Sequence, residues 1–240
     1  MIPKVIHYCW FGHNPLPPLA QKCIASWRKF FPDYEIKEWN EDNFDVNSIP
    51  YTTQAYKHKK YAFVSDYARF KILYENGGIY FDTDVEVIKS MDDILAKGAF
   101  FGLEDNRDVF ACAPGLGFAC NAKLCLLKDM LNLYENMPFE TADGAINKKT
   151  IVEHFSEHLI KKGLQPKAGI IEFEGVYIYP ADYFCPKPSE FGKIQITKNT
   201  RTIHHYAASW ISPKQRFANL MIQIFGKKLI IGLWKLLAHH

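Results

Sequence analysis

Phe63-Val64-Ser65-Asp66-Tyr67-Ala68-Arg69 is followed after a short interval by Gly77-Gly78-Ile79-Tyr80-Phe81-Asp82-Thr83-Asp84, and the rest of the chain is organised around this stretch. It reads as a helix, a glycine turn and a short apolar strand that ends in two carboxylates. Helical spacing puts Ala62, Asp66, Arg69 and Leu73 on one face, so acid and guanidinium stand a turn apart. In the strand, period two sends Tyr80 and Asp82 to one side, predicted to face a site. Ile79 and Phe81 go to the other side, predicted to face the core. Aspartates one residue apart beyond such a strand present their oxygens together to a hard divalent cation that a phosphate group completes.

The chain on either side is ordered as alternating strands and helices. Val5 to Phe11 is a buried first strand that opens into the turn-forming Gly12-His13-Asn14-Pro15-Leu16-Pro17-Pro18. Leu19 to Phe31 has helical spacing, and Tyr34 to Trp39 is a second strand. Strand, helix, strand is the first half of a nucleotide-binding α/β layer. Gln54 to Tyr74 reads as one helix, and Val85 to Lys89 as a continuation of the strand carrying the aspartates. Further strands are expected at Ala99 to Leu103, Phe110 to Phe118, Ile170 to Tyr179 and Ile194 to Tyr206, with helices at Asn121 to Asn136 and Lys149 to Lys162.

Composition bounds the function. At 240 residues and 48% apolar, the chain is long enough for one large buried core, with room for a small appendage. A formal charge of +3 gives no case for nucleic-acid binding, which needs a clustered basic surface. Six cysteines without a Cys-x-x-Cys pair suit a reducing compartment, and the N-terminal residues predict no export signal.

The segment 213–240 differs in character: Phe217, Leu220, Ile224, Leu229, Leu233, Trp234 and Leu237 are interrupted by Arg216, Lys227, Lys228 and Lys235. It is too charged for a spanning helix and is expected to lie as an amphipathic basic helix in a membrane interface. The bland alternative is a helix packed on the domain or on a second copy of the chain.

Asp82-Thr83-Asp84 alone is weak evidence, but its context is specific. Ser65, Asp66, Arg69, Gly77, Gly78, Tyr80, Asp82 and Asp84 together resemble the donor-site signature of the DXD-containing sugar transferases of glycosyltransferase family 32, relatives of the large clostridial glucosylating toxins. Ile6-His7-Tyr8-Cys9-Trp10-Phe11-Gly12 looks like their first-strand motif, and His204-His205-Tyr206-Ala207-Ala208-Ser209-Trp210 like their closing motif. The likeness is nearest to short bacterial members associated with capsular and other surface polysaccharides.

The resemblance implies an α/β fold of GT-A type, a Rossmann-like mixed central sheet flanked by helices, over residues 1–212, followed by the amphipathic segment 213–240. It implies a retaining hexosyltransferase that uses a nucleotide sugar, UDP-galactose or UDP-glucose ahead of others, and Mn2+ or Mg2+ as cofactor. The metal ligands would be Asp84, with Asp82 holding ribose or metal water, and His205, with adjacent His204 as rival. Histidine there favours Mn2+ slightly. Trp10 would stack on uracil, Asp66 and Arg69 would contact the sugar hydroxyls, Ser65 and Tyr80 the nucleotide or sugar, and Trp210 would close over the diphosphate. Taken singly, the tryptophans are core residues and Asp66 with Arg69 an ordinary helix ion pair.

The expected acceptor is a glycan linked to polyprenyl diphosphate, reached by a peripheral protein at the cytoplasmic face of a bacterial membrane. The competing class is a catalytically silent sugar-nucleotide-binding or scaffold protein of a polysaccharide assembly complex, against which the intact Asp82 and Asp84 argue. For retention, double displacement needs a carboxylate or amide on the reacting face, and Asp105, Asp108, Asn121 and Asp143 all qualify. None sits in a motif that selects it, so a front-face route, in which the leaving diphosphate helps deprotonate the acceptor, is the preferred expectation.

Two other strings fail on context. A phosphatase-type Asp-x-Asp-x-Thr/Val does not fit, because Glu86 holds the fifth position. His154-Phe155-Ser156-Glu157-His158 spells an inverted zinc-protease string, but on an amphipathic helix with no site organised around it.

Overall fold

The structure, a computed structural model, describes residues 1–104, 109–141, 144–187 and 193–207. β1 (Val5–Cys9) is apolar and largely buried, as a central parallel strand must be. α1 (Pro18–Phe30) starts with proline at its first position, where a missing N–H is harmless, and buries Ala20, Cys23, Ile24 and Trp27. β2 (Glu35–Trp39) then pairs parallel to β1, from Val5↔Glu35 to Cys9↔Trp39.

The single helix expected at Gln54 to Tyr74 is two helices, α2 (Pro50–Lys57) and α3 (Tyr61–Asn76), separated at Lys59, whose φ is 56°. The reason is phase. Ala55 and Val64 are both buried, yet nine residues at 3.6 per turn would set them about 180° apart on one continuous helix. Breaking the helix lets both face the core.

Gly77 (φ 68°) ends α3 with its N–H on the Leu73 carbonyl, and β3 (Gly78–Tyr80) follows at once. The remaining elements are β4 (Val85–Val87), α4 (Asp92–Leu95), β5 (Ala99–Gly102), β6 (Phe118–Cys120), α5 (Cys125–Glu135), α6 (Ile151–Lys161), β7 (Ile171–Phe173), β8 (Val176–Tyr179), α7 (Ala181–Phe184) and β9 (Thr202–His204). A capping box between Thr150 and Glu153 starts α6.

Seven strands form one mixed sheet in the order β2-β1-β3-β6-β5-β8-β7, in which β6 and β7 run against the other five. The C-terminal ends of β1, β3, β5 and β8 therefore share one edge of the sheet. Two apolar clusters cover its faces. Tyr80, Phe101 and Phe118 join α3, α5 and α6 on one side, while Ile79, Phe81 and Phe100 join α1 and α7 on the other. Period two holds along β3, but both of its faces are core, and Tyr80 is as buried as Ile79.

Three strand expectations are corrected. Val85 to Lys89 does not continue β3; the chain turns at Thr83-Asp84, and β4 pairs with β9 in a separate two-stranded sheet. Phe110 to Phe118 contains a 3₁₀ turn, Pro114–Leu116, and only its last residue is in a strand. From Ile194 to Tyr206 only β9 is strand, because Ile194 and Ile196 alternate outward and stay exposed with no core to cover. No helix of the described residues is long and apolar enough to cross a membrane. The segment 213–240 and the domain boundary expected before it lie outside the described residues.

Candidate functional site

The face of α3 that carries Asp66 and Arg69 packs over the end of β3. Asp66 Oδ1 lies 2.9 Å from Arg69 Nη2, and the same guanidinium forks onto Asp82, with Nη2 3.3 Å from Oδ1 and Nη1 3.4 Å from Oδ2. Tyr80 donates its hydroxyl to Asp82 Oδ1 at 3.0 Å, and the Arg69 guanidinium lies 5.1 Å from the centre of the Tyr80 ring. Helical spacing set against strand alternation produces this juxtaposition from residues close in sequence.

One cation thus serves two carboxylates. Burial pushes the Asp66 carboxyl up to about 7, with Arg69 opposing and Asp82 adding to the rise. Asp82 is raised for the same first reason, Arg69 again opposing. Ser65 directs its hydroxyl to the Tyr61 carbonyl at 3.2 Å, and its own carbonyl accepts from Arg69 Nε at 3.1 Å, so it holds the arginine in place.

Sequence reasoning missed Gly115. Its Cα presses on the ion cluster: a Cβ there would overlap Asp82 Oδ2 and stand 3.1 Å from Arg69 Nη1, while its carbonyl accepts the Asp82 N–H at 3.2 Å. The only available signal was the Pro114-Gly115 pair, which marks a turn and says nothing of what the turn touches.

Asp84 belongs to a different constellation. Antiparallel pairing of β4 with β9 sets Val85 opposite His204, and Asp84 Oδ1 meets His204 Nε2 at 3.3 Å. Asp84 Oδ2 accepts the Ala207 N–H at 2.7 Å. Burial would raise the Asp84 carboxyl, but His204 and the Ala207 amide outweigh it and hold it at about 2. Burial would likewise lower His204, and Asp84 instead raises it to about 10. His205, the first choice from sequence, turns away, its Nε2 2.8 Å from Glu86 Oε2, which also accepts from Lys22 Nζ at 2.8 Å. Extended backbone sends neighbouring side chains to opposite faces, so one histidine reaches Asp84 and the other does not.

The pair fits a divalent cation in chemistry and spacing. Carboxylate oxygen and imidazole nitrogen are Mn2+ ligands, and two adjacent ligands on an octahedral ion with bonds near 2.1 Å stand about 3 Å apart. His204 Nδ1 is buried and without a partner. Among the described residues no three His, Cys, Asp or Glu side chains assemble around one point, so the other positions would fall to water and ligand phosphates.

Trp10 leaves the end of β1 half-buried, its Nε1 donating to the Asn14 carbonyl at 2.6 Å, at the same sheet edge as Asp82. Beside it Gly12 donates its N–H to Glu41 Oε1 at 2.6 Å. Trp210, Asp105, Asp108 and Asp143 lie outside the described residues. Asn121 is not near this edge. It follows β6, which runs against β3, and Cys120 is level with Gly78 at the far end. The histidines of 154–158 do not converge either: His154 is buried against Tyr134, while His158 sits 3.2 Å from Asp129.

Residues 17–101 match the family described as glycosyltransferase sugar-binding region containing DXD motif. That match takes in Ser65 to Asp84 and leaves out Trp10, Gly115 and His204. An uncharacterized glycosyltransferase of Acanthamoeba polyphaga mimivirus is 34% identical over 116 residues, covering 46% of this chain and 46% of the relative. Inositol phosphoceramide mannosyltransferase 1 of Schizosaccharomyces pombe is 30% identical over 134 residues, covering 47% of this chain and 39% of the relative. This chain therefore spans less than half the length of either curated relative.

Among solved structures, the PaToxG glycosyltransferase superposes with a TM-score of 0.51 at 20% identity, over 68% of this chain and 70% of that one. The expected fold class stands: this chain has the GT-A type of α/β fold, a mixed and mostly parallel central sheet flanked by helices.

Proposed function

We propose that this chain is a metal-dependent, retaining glycosyltransferase that moves a hexose from UDP-galactose or UDP-glucose to a growing surface glycan. The observation that carries the reading is the meeting, at one sheet edge, of the closed Asp66, Arg69, Tyr80 and Asp82 cluster with the Asp84–His204 pair. Asp66 and Arg69 are buried and Asp82 half-buried beside them, an arrangement that packing alone does not call for and that a hydroxyl-rich ligand with a diphosphate would use.

Asp84 and His204 would hold Mn2+ or Mg2+, with Asp82 on a metal-bound water or the ribose. The ion would supply charge neutralisation for the departing diphosphate. Asp66 and Arg69 present acceptor and donor groups to sugar hydroxyls and keep their geometry because each is locked by the other. Tyr80 fixes the rotamer of Asp82, Ser65 fixes that of Arg69, and Trp10 offers an aromatic face at the adjoining strand end.

A lipid-linked acceptor is supported by the amphipathic composition of 213–240 and by the phosphoceramide named for the yeast relative. A polyprenyl-diphosphate-linked glycan at the cytoplasmic membrane face is the acceptor we assign, with 213–240 as the interfacial segment of a peripheral protein. The name of that relative also raises a second donor reading, mannose, which belongs in the same test.

Purified protein offered UDP-glucose, UDP-galactose and GDP-mannose should release nucleoside diphosphate only with Mn2+ or Mg2+. Asp84→Ala should abolish that release, by about 10³-fold, while leaving the circular dichroism spectrum and cooperative unfolding unchanged. Equal release from the variant would remove Asp84 from the site. Absence of release from any of the three donors would favour a silent binding or scaffold protein.

A further inference from the structure

The loop that follows β1 carries Trp10, and its shape is set from outside the loop. The Trp10 N–H bonds the Trp39 carbonyl at 2.8 Å, which carries the pairing of β1 with β2 one step past Cys9. The chain then turns through Gly12 (φ 98°) and His13 (φ 55°), two successive left-handed residues.

The turn after β2 takes over at that point. Phe11 packs edge-on against Phe44 with ring centres 5.8 Å apart, and the Gly12 N–H donates to Glu41 Oε1 at 2.6 Å. The Glu41 side chain is only 11% exposed, so this charge-assisted bond is largely shielded from water. Side chains fix the turn that presents it: Asn43 Oδ1 accepts the Asn40 N–H at 2.9 Å, and Asn40 Oδ1 accepts the Asp42 N–H at 2.9 Å. The carboxylate is therefore placed independently of the loop that it holds. Opposite it the Tyr61 ring closes the space, and a Cβ on Gly12 would overlap that ring.

From Gly12 an unbroken run of hydrogen bonds leads to the indole. The Gly12 carbonyl accepts from Asn14 Nδ2 at 3.0 Å, and the Asn14 carbonyl accepts from Trp10 Nε1 at 2.6 Å. Both of these bonds are open to water, which competes for each partner. The bond to Glu41 is the shielded member of the series. Burial raises the Glu41 carboxyl, but the Gly12 amide, first among several opposing neighbours, helps to bring it below its ordinary value. Oε1 is taken by Gly12 and Oε2 is shut off from water, with His13 Nδ1 3.9 Å away. Neither oxygen is open to a ligand, so Glu41 acts on one through the loop.

We propose that Glu41 is a positioning residue for nucleotide binding: through the Gly12 amide it holds the Trp10 indole as a fixed stacking face for the base. An aromatic face already in place spares the bound complex the cost of ordering it. This role rests on the glycosyltransferase reading and on the place of Trp10 within it.

A double-mutant cycle read by calorimetry with Mn2+ tests it, on wild type, Glu41→Ala, Glu41→Gln, Trp10→Ala and the double variant Glu41→Ala with Trp10→Ala. The ligands are UDP, GDP and inorganic pyrophosphate, which has the diphosphate without a base. Trp10→Ala should weaken the preferred nucleotide by about 10-fold, the loss of one stacked base. Glu41→Ala should weaken it by about 5-fold, and the double variant should be no weaker than Trp10→Ala. Pyrophosphate affinity should be the same in Glu41→Ala as in wild type, which also shows that the variant is folded. Glu41→Gln, whose amide oxygen still accepts the Gly12 N–H, should return to within about 2-fold of wild type. With a sugar donor the loss should appear in KM and not in kcat. Losses that add in the double variant, an equal loss for pyrophosphate, or full nucleotide affinity in Glu41→Ala overturns the assignment and leaves the function standing. Full nucleotide affinity in Trp10→Ala overturns it by removing the stacking face. A wild type that binds neither nucleotide overturns both.

Discussion

The two halves of the site are built in different ways. Around Arg69, four side chains between residues 66 and 82 meet through local geometry, and the Asp66 and Asp82 carboxyls are raised because burial outweighs the one guanidinium they share. Around Asp84, His204 and the Ala207 amide reach the carboxylate while Lys22 and the His205 side chain go to Glu86, and the Asp84 carboxyl is lowered because the histidine and the amide outweigh its burial. The first half is a shared cation inside the core. The second is a seam between β4 and β9. Charge starvation on one side and charge satisfaction on the other match the different roles proposed for them, contact with sugar hydroxyls and a share in holding a cation.

Truncation of the cation in each half should widen this contrast. Arg69→Ala leaves Asp66 and Asp82 buried without their counter-charge and should destabilise the fold by about 3–5 kcal/mol in urea or guanidinium unfolding. His204→Ala leaves Asp84 with the Ala207 amide and should destabilise by only about 1–3 kcal/mol. Equal losses would mean that the two halves are not built differently.

A smaller effect is expected at the bare backbone that lies against the first half. Gly115→Ala forces Asp82 or the Pro114–Leu116 turn to shift and should cost about 1–3 kcal/mol, with nucleotide-sugar affinity falling alongside. A variant with unchanged affinity would show that the cluster yields freely.

The smallest difference is in pH dependence. The folded Asp66 carboxyl is raised to about 7 from its ordinary 3.8, so the folded chain binds that proton more tightly than the unfolded chain does. Its contribution to stability is therefore fully present below about pH 3.8 and is lost as pH rises through about 7. Asp66→Asn cannot lose it. The melting temperature of Asp66→Asn relative to wild type should rise between pH 4 and pH 8, and a flat difference would show that Asp66 keeps its charge in the fold.

Much of this was legible because it is local. The pairing of Asp66 with Arg69 follows from helical spacing, the end of α3 from Gly77, and the common side of Tyr80 and Asp82 from strand alternation. What failed did so for lack of a local signal. The break at Lys59 answers a phase conflict that appears only once both Ala55 and Val64 are known to be buried. The direction of β6 is what takes Asn121 away from the site, and the partner and register of β9 are what select His204 over His205.

The sequence by itself determined the α/β alternation, the acidic turn after β3 and the side chains that crowd around Arg69, because periods of 3.6 and 2 act over a few residues. Tertiary structure was needed to show which histidine meets Asp84 and that Gly115 has no room for a side chain beside Asp82. Those are matters of register between strands distant in the chain. A shift of one residue exchanges the faces of every side chain in a strand, and nothing within a single strand specifies it.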